Sequence, residues 1–124
     1  SPCYKGRVDE KIAVLRKYKF ALCFENAKNI DGYITEKIFD CFFAGTIPIY
    51  WGASNINQSI PENCFIERTK FKTHEDLYRF LKNLTDEDIL EYQKNIELFL
   101  KSEAIIPFSE HFFAKNIVEI VTHE

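Results

Sequence analysis

The sequence contains no methionine, one tryptophan and only four each of glycine, proline and cysteine in 124 residues. None of Cys3, Cys23, Cys41 and Cys64 lies in a Cys-x-x-Cys or similar paired spacing, which argues against a zinc site. Cys23 falls in a strand pattern and Cys41 in a helix pattern, as buried free thiols would. Reduced thiols favour a cytosolic compartment. Positive charge is not in excess: 16 Lys and Arg oppose 19 Asp and Glu, for a net charge of −3. No global basic field therefore recruits nucleic acid or an anionic membrane, although a small phosphate can still meet a local positive site. No apolar run reaches the roughly 20 residues that a membrane-spanning helix needs. Repeats, linkers, low-complexity tracts and a signal-peptide pattern are also lacking. The chain opens Ser-Pro-Cys-Tyr without an initiator methionine, and the expectation is a piece of a longer protein.

What is present is apolar and aromatic. Hydrophobic residues make up 46% and aromatics 15%, with twelve phenylalanines, a composition that folds rather than staying disordered. The length suits one domain with a modest core. Ser1 to Val8 reads as irregular, and Asp9 as the cap of a helix through Lys17 carrying Ile12, Leu15 and Arg16. Tyr18 to Phe24 and Thr46 to Trp51 read as buried strands. Between them, Thr35 is expected to cap a helix that carries Ile38, Phe39, Phe42 and Phe43 and stops at Gly45. Gly52, Ser54 and Asn55 form a polar loop, Asn57 to Ile60 a single helical turn, and Asn63 to Glu67 a short strand. Leu77, Phe80, Leu81 and Leu84 then give the stripe of a helix opening at Thr73 or His74. Thr85 and Asp88 resemble a capping box for a helix to about Lys101, with Ile89, Tyr92, Ile96 and Phe99 on its apolar face. Pro107 breaks the pattern, and Ser109 with Glu110 opens a last helix carrying Phe112, Phe113, Ile117, Ile120 and Val121. The order implies an α/β fold with a small parallel sheet and a helical C-terminal tail.

The chemistry is concentrated between Glu25 and Lys37. A strand-to-helix loop ending in a helix N-terminus is a general anion site, because unpaired N–H groups and the macrodipole both favour negative charge there. Lys37 is a cation in the first helical turn, which the dipole disfavours. It points either to a phosphate partner or to a solvated lysine paired with Glu25 or Asp40. Glu36 is either an ordinary first-turn acid or a carboxylate for two sugar hydroxyls. Tyr33 either donates its hydroxyl to a phosphate or packs on the loop. Asn26, at the strand end, is an amide donor to a phosphate oxygen or a turn residue. Asp86-Glu87-Asp88 contains an Asp-x-Asp pattern, but its place at a helix N-terminus explains all three acids. His74, His111 and His123 lack a second ligand four residues on, so no metal site is expected. Asn57-Gln58-Ser59 and Asn83-Leu84-Thr85 match the glycosylation sequon, which matters only in a secreted chain.

The segments FEN, GYITEK and AGTIPIYWG together resemble the donor-binding signature of the α-1,3-fucosyltransferases, glycosyltransferase family ten, with bacterial members looking closest. The similarity spans Lys17 to Ile66 and, more loosely, the tail with its PFS at Pro107 to Ser109. The resemblance implies a GT-B architecture of two Rossmann-like domains. Residues 1–124 would form the C-terminal, GDP-fucose-binding domain of an inverting fucosyltransferase acting on an N-acetylglucosamine-type hydroxyl. By position, Glu36 would hold the ribose hydroxyls and Lys37 would neutralise the departing diphosphate. Asn26 and Tyr33 would contact the phosphates, beside Thr35. Glu25 lies in the motif, but the resemblance assigns it no definite role, and orienting the loop is one reading. The family's carboxylate base belongs to the other domain, so this chain alone is expected to bind donor without turnover. The family's upstream arginine has no convincing match in Arg7 or Arg16. No cofactor or metal is implied. The glycan acceptor would be met through the other domain. The implied compartment is the cytoplasm or the inner-membrane periphery in a bacterium, and the Golgi lumen in a eukaryote. A GT-B enzyme using another nucleotide sugar, or a non-catalytic α/β interaction module, is the competing reading.

Overall fold

A computed structural model describes residues 10–113. The elements run α1 (Glu10–Leu15), β1 (Phe20–Phe24), α2 (Lys37–Ala44), β2 (Ile47–Trp51), β3 (Ile66–Glu67), α3 (His74–Asn83), α4 (Asp86–Leu100) and α5 (Ile106–Phe108), with single 3-10 turns between them. The three strands are parallel in the order β1-β2-β3, with Leu22 opposite Ile49 and Ile49 opposite Ile66. The class is α/β, as the alternation of patterns implies.

β2 is the central strand, and its IPIYW sequence is apolar on both faces, as a parallel strand covered by helices requires. Ile47 and Tyr50 are essentially inaccessible. Proline is unusual in a central strand because it cannot donate to the ladder. Pro48 is tolerated because the Ile47 N–H already bonds toward β1, to the Lys19 carbonyl at 2.8 Å, which turns position 48 toward β3. The pairing with β3 begins only at Ile49, so no sheet bond is lost.

Helix α2 covers the sheet. Its Ile38, Phe39, Phe42 and Phe43 are all buried, and it stops at Gly45, which adopts the left-handed conformation with φ 76°. That conformation suits glycine, and the Gly45 N–H satisfies the carbonyls of Cys41 and Phe42. Phe39 is the centre of the aromatic core, with Phe42, Phe99, Phe108 and Phe112 at 4.9–6.4 Å between ring centroids. Phe42 meets it edge-on, Phe108 and Phe112 are tilted and Phe99 is stacked at the longest separation, which avoids the face-to-face sandwich that aromatic pairs disfavour. From α4, Ile89, Ile96 and Phe99 reach this core, one stripe of a helix opened by the Thr85–Asp88 capping box. The acids of the Asp-x-Asp pattern are its first turn. Thr73 caps α3 by accepting the Asp76 N–H.

Several boundaries differ from the sequence reading. β1 starts at Phe20, leaving Tyr18 60% exposed. The expected strand from Asn63 shrinks to Ile66–Glu67 because Glu62–Cys64 closes a 3-10 turn. Pro107 does not break a helix but lies in the first turn of α5, where its fixed φ is helical and its missing N–H is not needed. The expected start of a helix at Ser109 is a π-helical turn, Ser109–Phe113, that follows α5 directly. The readings at Ser1 to Val8, Asp9, Ile117, Ile120, Val121 and His123 lie outside the described residues, as does the Phe113 side chain.

Candidate functional site

In a parallel sheet the carboxyl ends of neighbouring strands lie side by side. β1 ends at Phe24 and β2 at Trp51, so the loop of residues 25–36 and the loop of residues 52–55 meet there, beside the N-terminus of α2. Three bonds sew the loops together. The Asn29 N–H donates to the Gly52 carbonyl at 2.9 Å, the Gly32 N–H to Asn55 Oδ1 at 2.8 Å, and the Ser54 hydroxyl to Asp31 at 2.5 Å. Asn29 and Gly32 take positive φ, 61° and 76°, a conformation open mainly to glycine and tolerated by asparagine.

Beneath the loops sits Glu25, with no solvent exposure. A carboxylate held away from water must have its oxygens satisfied. One oxygen accepts the Thr35 backbone N–H at 2.9 Å and the Tyr50 hydroxyl at 3.3 Å, and the other accepts the Thr35 hydroxyl at 2.6 Å. The Lys37 ammonium lies 3.8 Å from the latter oxygen. Tyr50 in turn accepts the Ala53 N–H at 3.1 Å. Burial, with the nearby Glu25 carboxylate, pushes the Tyr50 phenol well above its ordinary range, so it remains a donor. Glycine is needed at position 52 because a Cβ there would come within 2.4 Å of both Glu25 Cγ and the Tyr50 hydroxyl oxygen.

Thr35 is not the N-cap. That position is Glu36, whose side chain makes no capping bond. The Thr35 hydroxyl is directed at Glu25, while its oxygen receives the Lys37 N–H at 3.4 Å, a weak contact. The first turn of α2 is therefore anchored to the sheet through Thr35 and Glu25 rather than closed by a local cap. Lys37 answers the earlier alternative in part: it faces Glu25 and keeps a third of its side chain exposed, whereas Asp40 pairs with Lys11 at 3.1 Å. Lys37 and Lys11 line a cleft of about 300 Å³ along β1 and α2.

Asn26, Tyr33 and Glu36 are exposed, and no hydrogen bond engages their side chains among the described residues. The structure thus brings Glu25, Thr35 and Lys37 into direct contact and leaves Asn26, Tyr33 and Glu36 around them, accessible. This arrangement offers donors, a cation and a carboxylate at one helix N-terminus, which is chemistry for a phosphorylated, hydroxyl-bearing ligand. It contains no activated nucleophile. A hydrogen bond with Cys41, together with burial, raises the Cys23 thiol far above its ordinary range, and burial pushes Cys64 up to about 11. Cys23, Cys41 and Cys64 are buried and free, as expected; Cys3 is outside the described residues.

Some site residues were not found by sequence reasoning. Tyr50 read only as strand core, yet its hydroxyl meets Glu25. Lys28 carried no signal; its ammonium donates to the Glu25 carbonyl at 3.0 Å and lies 5.2 Å from the Trp51 ring centroid. Ser54 and Asn55 were legible as polar, but not as the latches of Asp31 and Gly32.

Comparison with known proteins agrees with the resemblance noted in the sequence. The family model for the glycosyltransferase family 10 (fucosyltransferase) C-terminal region matches residues 3–110. The α-(1,3)-fucosyltransferase FucT of Helicobacter pylori is 40% identical over 77 residues, covering 62% of this chain and 16% of that protein. An α-(1,4)-fucosyltransferase of Arabidopsis thaliana is 35% identical over 65% of this chain and 20% of its own length. A GDP-fucose protein O-fucosyltransferase 3 of Xenopus laevis is 40% identical over 68% and 18%. The chain thus spans a fifth or less of these relatives. Crystal structures of an α1,3-fucosyltransferase with GDP and with GDP-fucose superpose with a TM-score of 0.62 at 35% identity, covering 70% of this chain and 26% of that one. With the family matched over most of its length, the chain belongs to glycosyltransferase family 10, the fucosyltransferases.

Proposed function

We propose that this chain is the donor-binding part of a longer, two-domain GT-B fucosyltransferase that moves L-fucose from GDP-fucose to an acceptor hydroxyl with inversion at the anomeric carbon. The observation that carries this is the cluster of Lys37, Thr35 and the exposed Glu36, Tyr33 and Asn26 at the N-terminus of α2, in a chain related to enzymes crystallised with GDP and GDP-fucose. Lys37 is positioned to neutralise the diphosphate of GDP as it leaves. Glu36 offers two oxygens to a ribose diol, and Asn26 and Tyr33 supply donors for phosphate oxygens. In the transfer itself, the acceptor oxygen forms its bond to the anomeric carbon as the bond from that carbon to the β-phosphate oxygen breaks. The acceptor proton passes to a carboxylate of the partner domain, and the electron pair leaves with GDP. Lys37 and the N–H groups of α2 lower the energy of that departing charge, an electrostatic contribution fixed before the reaction starts. No metal is invoked.

The acceptor we propose is an N-acetylglucosamine-type sugar hydroxyl. A second reading, a serine or threonine hydroxyl of a protein, is favoured by the similarity to GDP-fucose protein O-fucosyltransferase 3. The compartment follows the host: cytoplasm or inner-membrane periphery in a bacterium, Golgi lumen in a eukaryote. The test is an assay of the full-length protein with GDP-fucose and, in separate reactions, an N-acetyllactosamine glycan and a folded protein acceptor. Fucosylated glycan of inverted anomeric configuration, read by NMR, supports the first reading. Product only on the protein acceptor supports the second. Retained configuration, or no transfer from GDP-fucose to any acceptor, overturns the proposal.

A further inference from the structure

Glu25 is the one fully buried carboxylate among the described residues, and nothing in donor chemistry requires a buried acid beneath the loop. Its contacts are unusual in reach. It holds Thr35, ten residues on, through both backbone and hydroxyl, and Tyr50, twenty-five residues on, through the phenol. It stands 3.8 Å from the Lys37 ammonium. We propose that Glu25 is the positioning residue of the donor site: it fixes the backbone that enters α2 and stations Lys37, and so acts on the phosphate-binding part of donor affinity without touching the donor.

Three features of the geometry support this. First, the N-cap Glu36 makes no side-chain capping bond and the Thr35 hydroxyl oxygen takes the Lys37 N–H only at 3.4 Å, so the N-terminal N–H groups, the anion-binding part of the helix, are placed chiefly by the bond from Thr35 to Glu25. Second, the bonds to Thr35 are short, whereas the approach of Lys37 is long at 3.8 Å. Glu25 holds the backbone firmly and the ammonium loosely, leaving Lys37 free to turn to a second anion while its helix stays in place. Third, Tyr50 and Gly52 brace Glu25 from the β2 side: the Tyr50 hydroxyl donates to it, and the missing Cβ of Gly52 makes room for its Cγ. The carboxylate thus links the ends of β1 and β2 to the start of α2.

Two effects of Glu25 on a diphosphate have opposite signs. Positioning strengthens binding, while the carboxylate charge competes for Lys37 and repels phosphate. The proposal requires positioning to win, because two charge-assisted bonds to Thr35 outweigh one loose, partly exposed ion pair. This inference rests on the donor reading above, and the experiment separates the two. The full-length protein and its Glu25→Gln, Thr35→Val and Lys37→Ala variants are titrated with GDP and with guanosine, which shares the base and ribose but lacks the phosphates. Thermal melts establish which variants are folded. The expected result for Glu25→Gln is about tenfold weaker GDP binding, the scale of a charged hydrogen bond, with a distinctly smaller loss for guanosine, whose ribose meets only Glu36 of the displaced turn. Thr35→Val should fall in the same direction, and it carries the test by itself if Glu25→Gln does not fold. Adding either change to Lys37→Ala should have less effect than in the wild type, as coupled residues do. Equal losses for GDP and guanosine would mark a purely structural role and overturn the inference. Tighter GDP binding by folded Glu25→Gln would show the carboxylate to be a competitor and also overturn it. Wild-type protein that binds no GDP would overturn the donor reading itself.

Discussion

At the scale of single residues, the site depends on a few atoms that cannot be exchanged. A Cβ at position 52 would meet Glu25 Cγ and the Tyr50 hydroxyl oxygen at 2.4 Å, and these groups are pinned to each other and to Ala53. Gly52→Ala should therefore cost about 2 kcal/mol, within the range for overpacking a core, and lower the melting temperature measurably by circular dichroism. Buried acids set the alkaline limit. The Cys64 thiol, fully inaccessible, is pushed from 9.0 to about 11 by burial. When unfolded it ionises near 9.0, and when folded it keeps its proton until about 11. The folded state binds more protons across that window, so stability is intact below it and falls as pH rises through it, by about 1.4 kcal/mol per pH unit for this group. Tyr50 and Cys23 shift in the same direction and steepen the slope. Urea midpoints should stay level from about pH 8 to about pH 9 and decline from about pH 9 to about pH 11, and a profile flat across that second interval would contradict these burial assignments.

At the scale of elements, the local rules that shaped the sequence reading also predict what breaks. Thr85→Ala removes a capping box in which the Thr85 hydroxyl accepts the Asp88 N–H and the Asp88 carboxylate accepts the Thr85 N–H. The change should cost about 1 kcal/mol, read from denaturant unfolding. Gly45→Ala places a Cβ in the left-handed region at φ 76°, with open space around it, so only backbone strain of about 1 kcal/mol is expected. Helices α2, α3 and α4, the N-caps of α3 and α4 and the β1-α2-β2 unit were legible because each is written in neighbouring residues: helical spacing in the helices, apolar runs in β1 and β2, and glycine at the end of α2. What was not legible lies across long separations. Glu25 meets Tyr50 twenty-five residues away, and Gly32 meets Asn55 twenty-three away. Strand alternation places Tyr50 in the core but says nothing of what its hydroxyl touches. Thr35 was misplaced as a cap for the same reason: a preference for threonine at helix starts cannot reveal a buried acid that takes the hydroxyl instead. The single-turn β3 region and the Pro107 helix start were misread because short 3-10, helical and π-helical turns carry almost no periodic signal.

At the scale of the whole molecule, the fold gathers its polar residues at one end of a parallel sheet, where open α/β sheets bind their ligands. The sequence grouped the residues of that end but left each one near balance between ligand contact and ordinary packing. The structure divides them. Glu25 and Thr35 are internal supports, Lys37 stands between support and surface, and Asn26, Tyr33 and Glu36 face solvent. The central claim is that this surface recognises a guanosine diphosphate through Lys37. The most direct test is calorimetric titration of the full-length protein and its Lys37→Ala variant with GDP and with UDP. The account predicts GDP binding in preference to UDP, weakened at least tenfold by Lys37→Ala as loss of a charged phosphate contact requires. Equal binding of GDP and UDP, or GDP affinity unchanged in a folded Lys37→Ala protein, would contradict it.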